Sequence, residues 1–187
     1  MKQIPSAARE VLAFWFLEID PACWFQGSDA VDEAIAARFA GPVAAARSGQ
    51  LDDWADTPRG LLALVILLDQ FTRNIHRGTG EAYASDAKAQ QLTLRALERG
   101  DLAHLTLCER QFLLMPLMHA EDRALQRQSV ALFEQLAKDA QGPLDFARHH
   151  AEIIERFGRF PYRNQELGRE TTDEERAWIA EHGNPFG

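Results

Sequence analysis

Thr57-Pro58-Arg59-Gly60-Leu61-Leu62-Ala63-Leu64-Val65-Ile66-Leu67-Leu68 begins like a helix and then turns apolar on every side. Thr57 offers a side-chain oxygen to the first free N–H groups. Pro58 suits the first helical position, where no N–H is needed. A helix without a polar stripe must be surrounded, so Leu61 to Leu68 predicts a central helix enclosed by the rest of the chain. A buried parallel strand is the competing reading; the flanking residues and the want of any other strand-like segment argue against it. This is the longest apolar run in the chain, far short of the roughly 20 residues that span a bilayer.

The flanking segments also read as helices. Ser6 caps a first helix to about Leu17, with Val11, Leu12, Trp15 and Phe16 apolar, and Asp20-Pro21 ends it. Ser28 or Asp29 opens a second, carrying Val31, Ile35 and Phe39. Gly41-Pro42 interrupts that one, with a short continuation to Arg47 closed by Ser48-Gly49. Where the central helix emerges, Asp69 and Arg73 stand at ion-pair spacing, and Asn74 suits the left-handed residue that ends a helix.

Further along, Ser85 or Asp86 begins a helix ending at Arg99-Gly100. Thr106-Leu107-Cys108-Glu109 is a capping box before Phe112 to Met115, and Pro116 is expected to kink or end that helix. A long helix follows from about Glu121 to Lys138, broken by Gly142-Pro143. Another runs from about Leu144 to Phe157 and stops at Gly158. Thr172-Asp173-Glu174-Glu175 caps a last short helix through Trp178 and Ile179. With short linkers and no boundary, the expected fold is all-α: an antiparallel array of about eight helices in a single domain, residues 1–187. No 34-residue repeat appears, so periodicity alone does not give a tetratricopeptide architecture.

The net charge of −8 repels nucleic acid, and no Lys/Arg-rich run offers an exception. Neither nucleic acid nor membrane is an expected partner. Cys23 and Cys108 sit in no Cys-x-x-Cys or Cys/His pattern, which argues against a disulfide framework or zinc site; their scarcity suits a reducing cytoplasm. Met1 to Ala8 carries no secretory signal pattern.

Three polar constellations remain: Asp69 to Asn74, His119 to Asp122, and Arg156 to Asn164. His119 and Asp122 supply two potential metal ligands where a tetrahedral site needs at least three, so no metal is expected. Glu121 and Asp122 would complement the dipole of the long helix. Ala147, His150, Ile154 and Phe157 share one stripe, which turns His150 inward. Glu152 with Arg156, and Glu155 with Arg159, have the spacing of surface ion pairs. Gly158 suits a left-handed helix end, and Pro161 cannot continue the helix. The chain therefore turns sharply on Phe157, Phe160 and Tyr162 and throws Arg159, Arg163 and Asn164 in different directions. Arginine forks suit carboxylate or phosphate.

These segments resemble the bacterial domain-of-unknown-function family numbered 924. The likeness runs from Val11-Leu12-Ala13-Phe14-Trp15-Phe16 and Trp24-Phe25 to Thr172-Asp173-Glu174-Glu175. It is most specific in Leu67 to Asn74, in Met115 to Asp122, and in Phe157 to Asn164 with Leu167-Gly168-Arg169-Glu170. The resemblance implies an all-helical, tetratricopeptide-like fold and no assigned activity. The chain departs from the family pattern with Thr72 for Pro, Tyr162 for His and Ala120 for Ser. Tyr162 weakens any acid–base role for a histidine there. Ala120 removes a potential N-cap for the long helix, worth about 1 kcal/mol if the helix starts there.

Three functional readings follow. The leading one is a binding module, with Arg73, Asn74, His150, Arg159, Arg163 and Asn164 lining a pocket for an anionic small molecule or a peptide carboxylate. The second is a hydrolase-type enzyme with His119 or His150 as general base and Asp122 or Asp69 orienting it. No nucleophile elbow, phosphate loop or complete metal motif accompanies them, and no cofactor is expected. The third is a structural or interaction protein whose polar motifs are internal helix ties.

Overall fold

The computed structural model describes residues 3–138 and 143–183. Within them are eight helices and no strand, counting the segment from Pro58 to Ile75 as one helix. Helix α1 is Ser6–Ala13, continued by a π-helical turn, Phe14–Glu18. Helix α2 is Asp29–Arg47. Helix α3 runs as Pro58–Val65, then a π-helical turn Ile66–Phe71, then Thr72–Ile75. The others are α4, Asp86–Arg99; α5, Leu107–Met118; α6, Arg123–Ala137; α7, Pro143–Phe157; and α8, Asp173–His182.

Every residue from Leu61 to Leu68 is fully buried, as a helix apolar on all sides requires. Helices α1, α2, α4 and α5 pack around α3. Gly60 makes its entry possible. A Cβ there would lie 2.2 Å from the Trp54 carbonyl oxygen and 2.7 Å from Thr57 Oγ1. From α5 onward the chain stacks successively, α5 on α6 and α6 on α7. A second apolar cluster of Ile153, Ile154, Phe160 and Trp178 ties α7 and α8 to the turn between them.

Most helix ends obey local chemistry. Thr57 Oγ1 accepts from Gly60 N, and Thr106 and Thr172 form reciprocal capping boxes with Glu109 and Glu175. Gly100 and Gly158 take the left-handed conformation at φ 73° and 71°.

Several expectations fail for identifiable reasons. Pro5, not Ser6, occupies the N-cap of α1. Neither Pro42 nor Pro116 breaks its helix: buried Val43 and Ala46 hold the turn after Pro42, and the buried Leu117 and Met118 hold the one after Pro116. Packing there outweighs the lost N–H and the ring clash. Asn74 is helical, α3 ends at Ile75 with His76 as its C-cap, and no described non-glycine residue has positive φ. Helix α6 starts at Arg123 because Asp122 Oδ1 accepts from Ala124 N and Leu125 N at 2.8 Å, so Ala120 costs no cap. Gly142 lies outside the described residues.

Candidate functional site

Asp69 is a carboxylate held by three side chains. It sits in the π-helical turn of α3, fully buried, with Arg73 Nη1 at 3.0 Å from Oδ1. A wide turn changes the angle at which side chains leave the helix, and such turns recur at functional sites. Its second partner is His119, the residue that ends α5: Nδ1 lies 2.9 Å from Oδ1 and 3.1 Å from Oδ2. Gln70 Nε2 donates to Oδ2.

The protonation states follow from these contacts. Burial disfavours the Asp69 anion, but the Arg73 charge and the hydrogen bonds from His119 and Gln70 outweigh it, holding the carboxyl well below its usual range. Burial pushes His119 below its ordinary value; Asp69 pulls it up, while Arg73 and Arg163 push it down again. Arg73 already neutralises Asp69, so the imidazole has no need of a second charge. The ionised carboxylate can only accept, so Nδ1 carries the proton and Nε2 holds the lone pair.

Arg163 approaches the same place from the short 3-10 turn Pro161–Arg163. Only 5% of its side chain is exposed. Its guanidinium lies 4.7 Å from the centroid of Tyr83 and 4.3 Å from that of Phe160. Nη1 donates to the His119 carbonyl oxygen at 3.3 Å and lies 3.6 Å from Asp86 Oδ2. Asp86 Oδ2 also accepts from Arg73 Nη2 at 3.0 Å. Two polar atoms in this cluster are buried without a partner, Arg163 Nε and Asp86 Oδ1. Burial pushes the Asp86 carboxyl up, against the pull of Arg73.

Beside the cluster is an open cleft of about 120 Å³. Gln70, Arg73, Asn74, His119 and Arg163 form its polar wall; Trp24, Phe25, Tyr83 and Met115 its apolar one. Phe25 is half-exposed at the rim, and Trp24 is fixed by its Nε1 donating to the Trp15 carbonyl at 3.0 Å. Tyr162 also lines the cleft, and burial pushes its hydroxyl up to about 12, so it stays a neutral phenol.

Residues 11–183 match the family described as bacterial protein of unknown function, DUF924. The chain belongs to the DUF924 family. It is also similar to the solved structure of a protein of unknown function, ATU0120, from Agrobacterium tumefaciens, at 39% identity and a TM-score of 0.88, covering 94% of this chain and 98% of that one. No curated protein matches.

In this DUF924 chain the sequence-predicted residues separate into two groups. Arg73, Asn74, His119 and Arg163 meet at the cleft. Asn74 Nδ2 is engaged, donating to Asp32 Oδ1 at 2.7 Å, and Arg77 grips the same carboxylate. Arg159 and Asn164 do not line the cleft. Arg159 holds Glu175 through Nε at 2.7 Å and Nη2 at 2.9 Å, and Asn164 Nδ2 donates to the same carboxylate at 3.1 Å. His150 is buried, its ring 6.2 Å from that of His119 and 5.3 Å from Phe160, and supports the wall from behind. Asp122 is a helix cap, and the carboxylate partner of His119 is Asp69.

The surface pairs expected within α7 form across helices instead. Arg156 meets Glu174, Arg159 meets Glu175, and Arg123 meets Glu155. Glu121 is taken by Arg169 at 2.6 and 2.9 Å and by Phe160 N at 3.1 Å rather than by the α6 dipole. Burial opposes the Glu121 anion, yet those donors hold its carboxyl below the usual range. Sequence reasoning passed over Asp86, Tyr83 and the Trp24–Phe25 rim as site residues. The adjacent aromatic pair, too apolar for a loop, was the available signal. Among the described residues no group of three or more His, Cys, Asp or Glu side chains could hold a metal, and no helix is long and apolar enough to cross a membrane.

Proposed function

We propose that this cleft is a small-molecule binding site, and that Arg163 takes an anionic group of the ligand, a carboxylate or phosphate. The observation that carries the reading is the Arg163 side chain: nearly buried, fixed between two aromatic rings, lining the cleft, with Asp86 no nearer to it than 3.6 Å. A nearly buried guanidinium whose carboxylate neighbour stands beyond hydrogen-bond distance is incompletely neutralised, and an anion in the cleft lowers the cost of burying that charge. Arg73 and Asn74 already hold carboxylates, so they shape the wall and leave recognition to Arg163. A ligand with a flat or apolar body suits the Trp24–Phe25 side.

A thermal-shift series with acetate, succinate, inorganic phosphate and simple nucleotides tests this. At 100 times its dissociation constant a ligand adds about 2.7 kcal/mol to stability. A shift with at least one anion in the native chain, lost in Arg163→Met, is expected. No shift with any of them, or an equal shift in Arg163→Met, refutes it.

Two coarser readings accompany this one. Helices α5, α6 and α7 stacking in order supports a tetratricopeptide-like arrangement. Two free, partly exposed cysteines fit a cytoplasmic setting.

A further inference from the structure

We propose that His119 is the general base of a hydrolytic reaction in this cleft, acting on an ester whose carboxylate tail is anchored at Arg163. The inference rests on the binding reading above and adds chemistry to it. His119 lines the cleft, and its Nδ1 is tied to a buried carboxylate. That tie fixes the ring's tautomer and orientation, as an acid–base histidine requires. Asp69 is thus a positioning residue. It does not face the ligand, and it is itself fixed by Arg73 and Gln70.

The acceptor of chemistry is water. The side chains lining the cleft around His119 are Gln70, Arg73, Met115, Tyr162 and Arg163, none of them a serine, threonine or cysteine nucleophile. In the reaction, the Nε2 lone pair takes a proton from water as the water oxygen bonds to the acyl carbon. The carbon–oxygen bond to the leaving alcohol then breaks, and the imidazolium returns the proton to the departing oxygen. Ester and water become acid and alcohol, with no redox partner.

The charged and titratable groups that face His119 set its pH behaviour. They are Asp69 and Arg73 from α3, Arg163 and Tyr162 from the turn, Asp86 at the start of α4, and His150 from α7. Burial keeps the imidazole neutral below its ordinary value, so the base is available through the neutral range and is lost only in acid.

The probes are p-nitrophenyl hydrogen succinate and, as the uncharged control, p-nitrophenyl butyrate, tested on the full chain. The succinate ester is expected to be hydrolysed faster than the butyrate ester. His119→Gln should lower kcat by ~10²–10⁴-fold, a typical general-base effect. Asp69→Asn should lower kcat by ~10²-fold or more with little change in KM, and move the acid limb of the pH profile lower, because the attraction that favours the imidazolium is gone. Circular dichroism confirms that each variant is folded; if Asp69→Asn is not, His119→Gln decides. Succinate binding by calorimetry separates the two claims. If succinate binds the native chain and His119→Gln alike but not Arg163→Met, while the ester is hydrolysed no faster than in buffer or equally by His119→Gln, the base is refuted and the binding reading stands. Loss of succinate binding altogether removes both.

Discussion

Glu175→Ala tests how α8 is tied to the turn that carries Arg163. The carboxylate closes the capping box of α8, accepting from Thr172 N at 2.8 Å, and also holds Arg159 and Asn164. Arg159 bonding first, then the Thr172 N–H, keep its carboxyl down to about 2 despite burial. Truncation removes a cap worth about 1 kcal/mol. It also strips Asn164 of its side-chain partner. That amide is fully buried and its Oδ1 is already unpaired, so a further about 1–3 kcal/mol is lost. Arg159, a third exposed, can turn to water and softens the loss. The total is about 3 kcal/mol, the lower end for breaking a buried pair. Urea unfolding should show this as a lower midpoint at similar m. Hydrogen exchange should show lost protection concentrated in residues 158–183 while α3 stays protected. Glu175→Gln, which keeps an oxygen for Thr172 N, should lose less. A loss under about 1 kcal/mol, or one spread evenly over the chain, would refute the argument.

Other outcomes follow from the same contacts. Asp69→Ala leaves the half-buried Arg73 and the buried His119 without their shared acceptor and should cost about 3–5 kcal/mol by urea unfolding. Gly60→Ala puts a Cβ against the Trp54 carbonyl, a backbone atom that cannot yield, and should destabilise by about 1–3 kcal/mol or more. Stability should fall as pH drops below about 6.5, because His119 binds its proton more readily in the unfolded chain. The fall should steepen below pH 4.5, where the unfolded chain takes up protons on Glu121, Glu175 and Asp69 that the folded chain, with those carboxyls depressed, still excludes. Asp86, whose folded value is raised, works the other way and offsets part of it. Urea midpoints between pH 4 and 8 check the sign, and an NMR titration of the His119 ring should give a midpoint under 6.5.

What the sequence revealed was local. Thr57-Pro58, the two capping boxes and the left-handed glycines at 100 and 158 fix helix ends through neighbours within a few residues, and those were readable. The enclosed character of Leu61 to Leu68 was readable because its composition leaves no face for water. The π-helical turn at Ile66–Phe71 has no residue signature, yet it carries Asp69 toward His119, 50 positions away. Partner choice among arginines was likewise hidden. Arg159 looked like a ligand group and like the partner of Glu155, but tertiary packing gave it to Glu175. Pro42 and Pro116 misled because burial of the following turn can outweigh a broken backbone ladder. The cleft itself joins residues from the Trp24 loop, α3, α5 and the Tyr162–Arg163 turn, a convergence that no one segment encodes.

The most direct test of the cleft is a crystal of the protein soaked in 4-bromobenzoate, whose aryl bromide does not alkylate histidine or cysteine, read by bromine anomalous scattering. A bromine peak in the cleft, with the carboxylate within hydrogen-bonding distance of the Arg163 guanidinium, is the predicted result. Peaks only elsewhere on the protein, with the cleft filled by water at saturating 4-bromobenzoate, would contradict it.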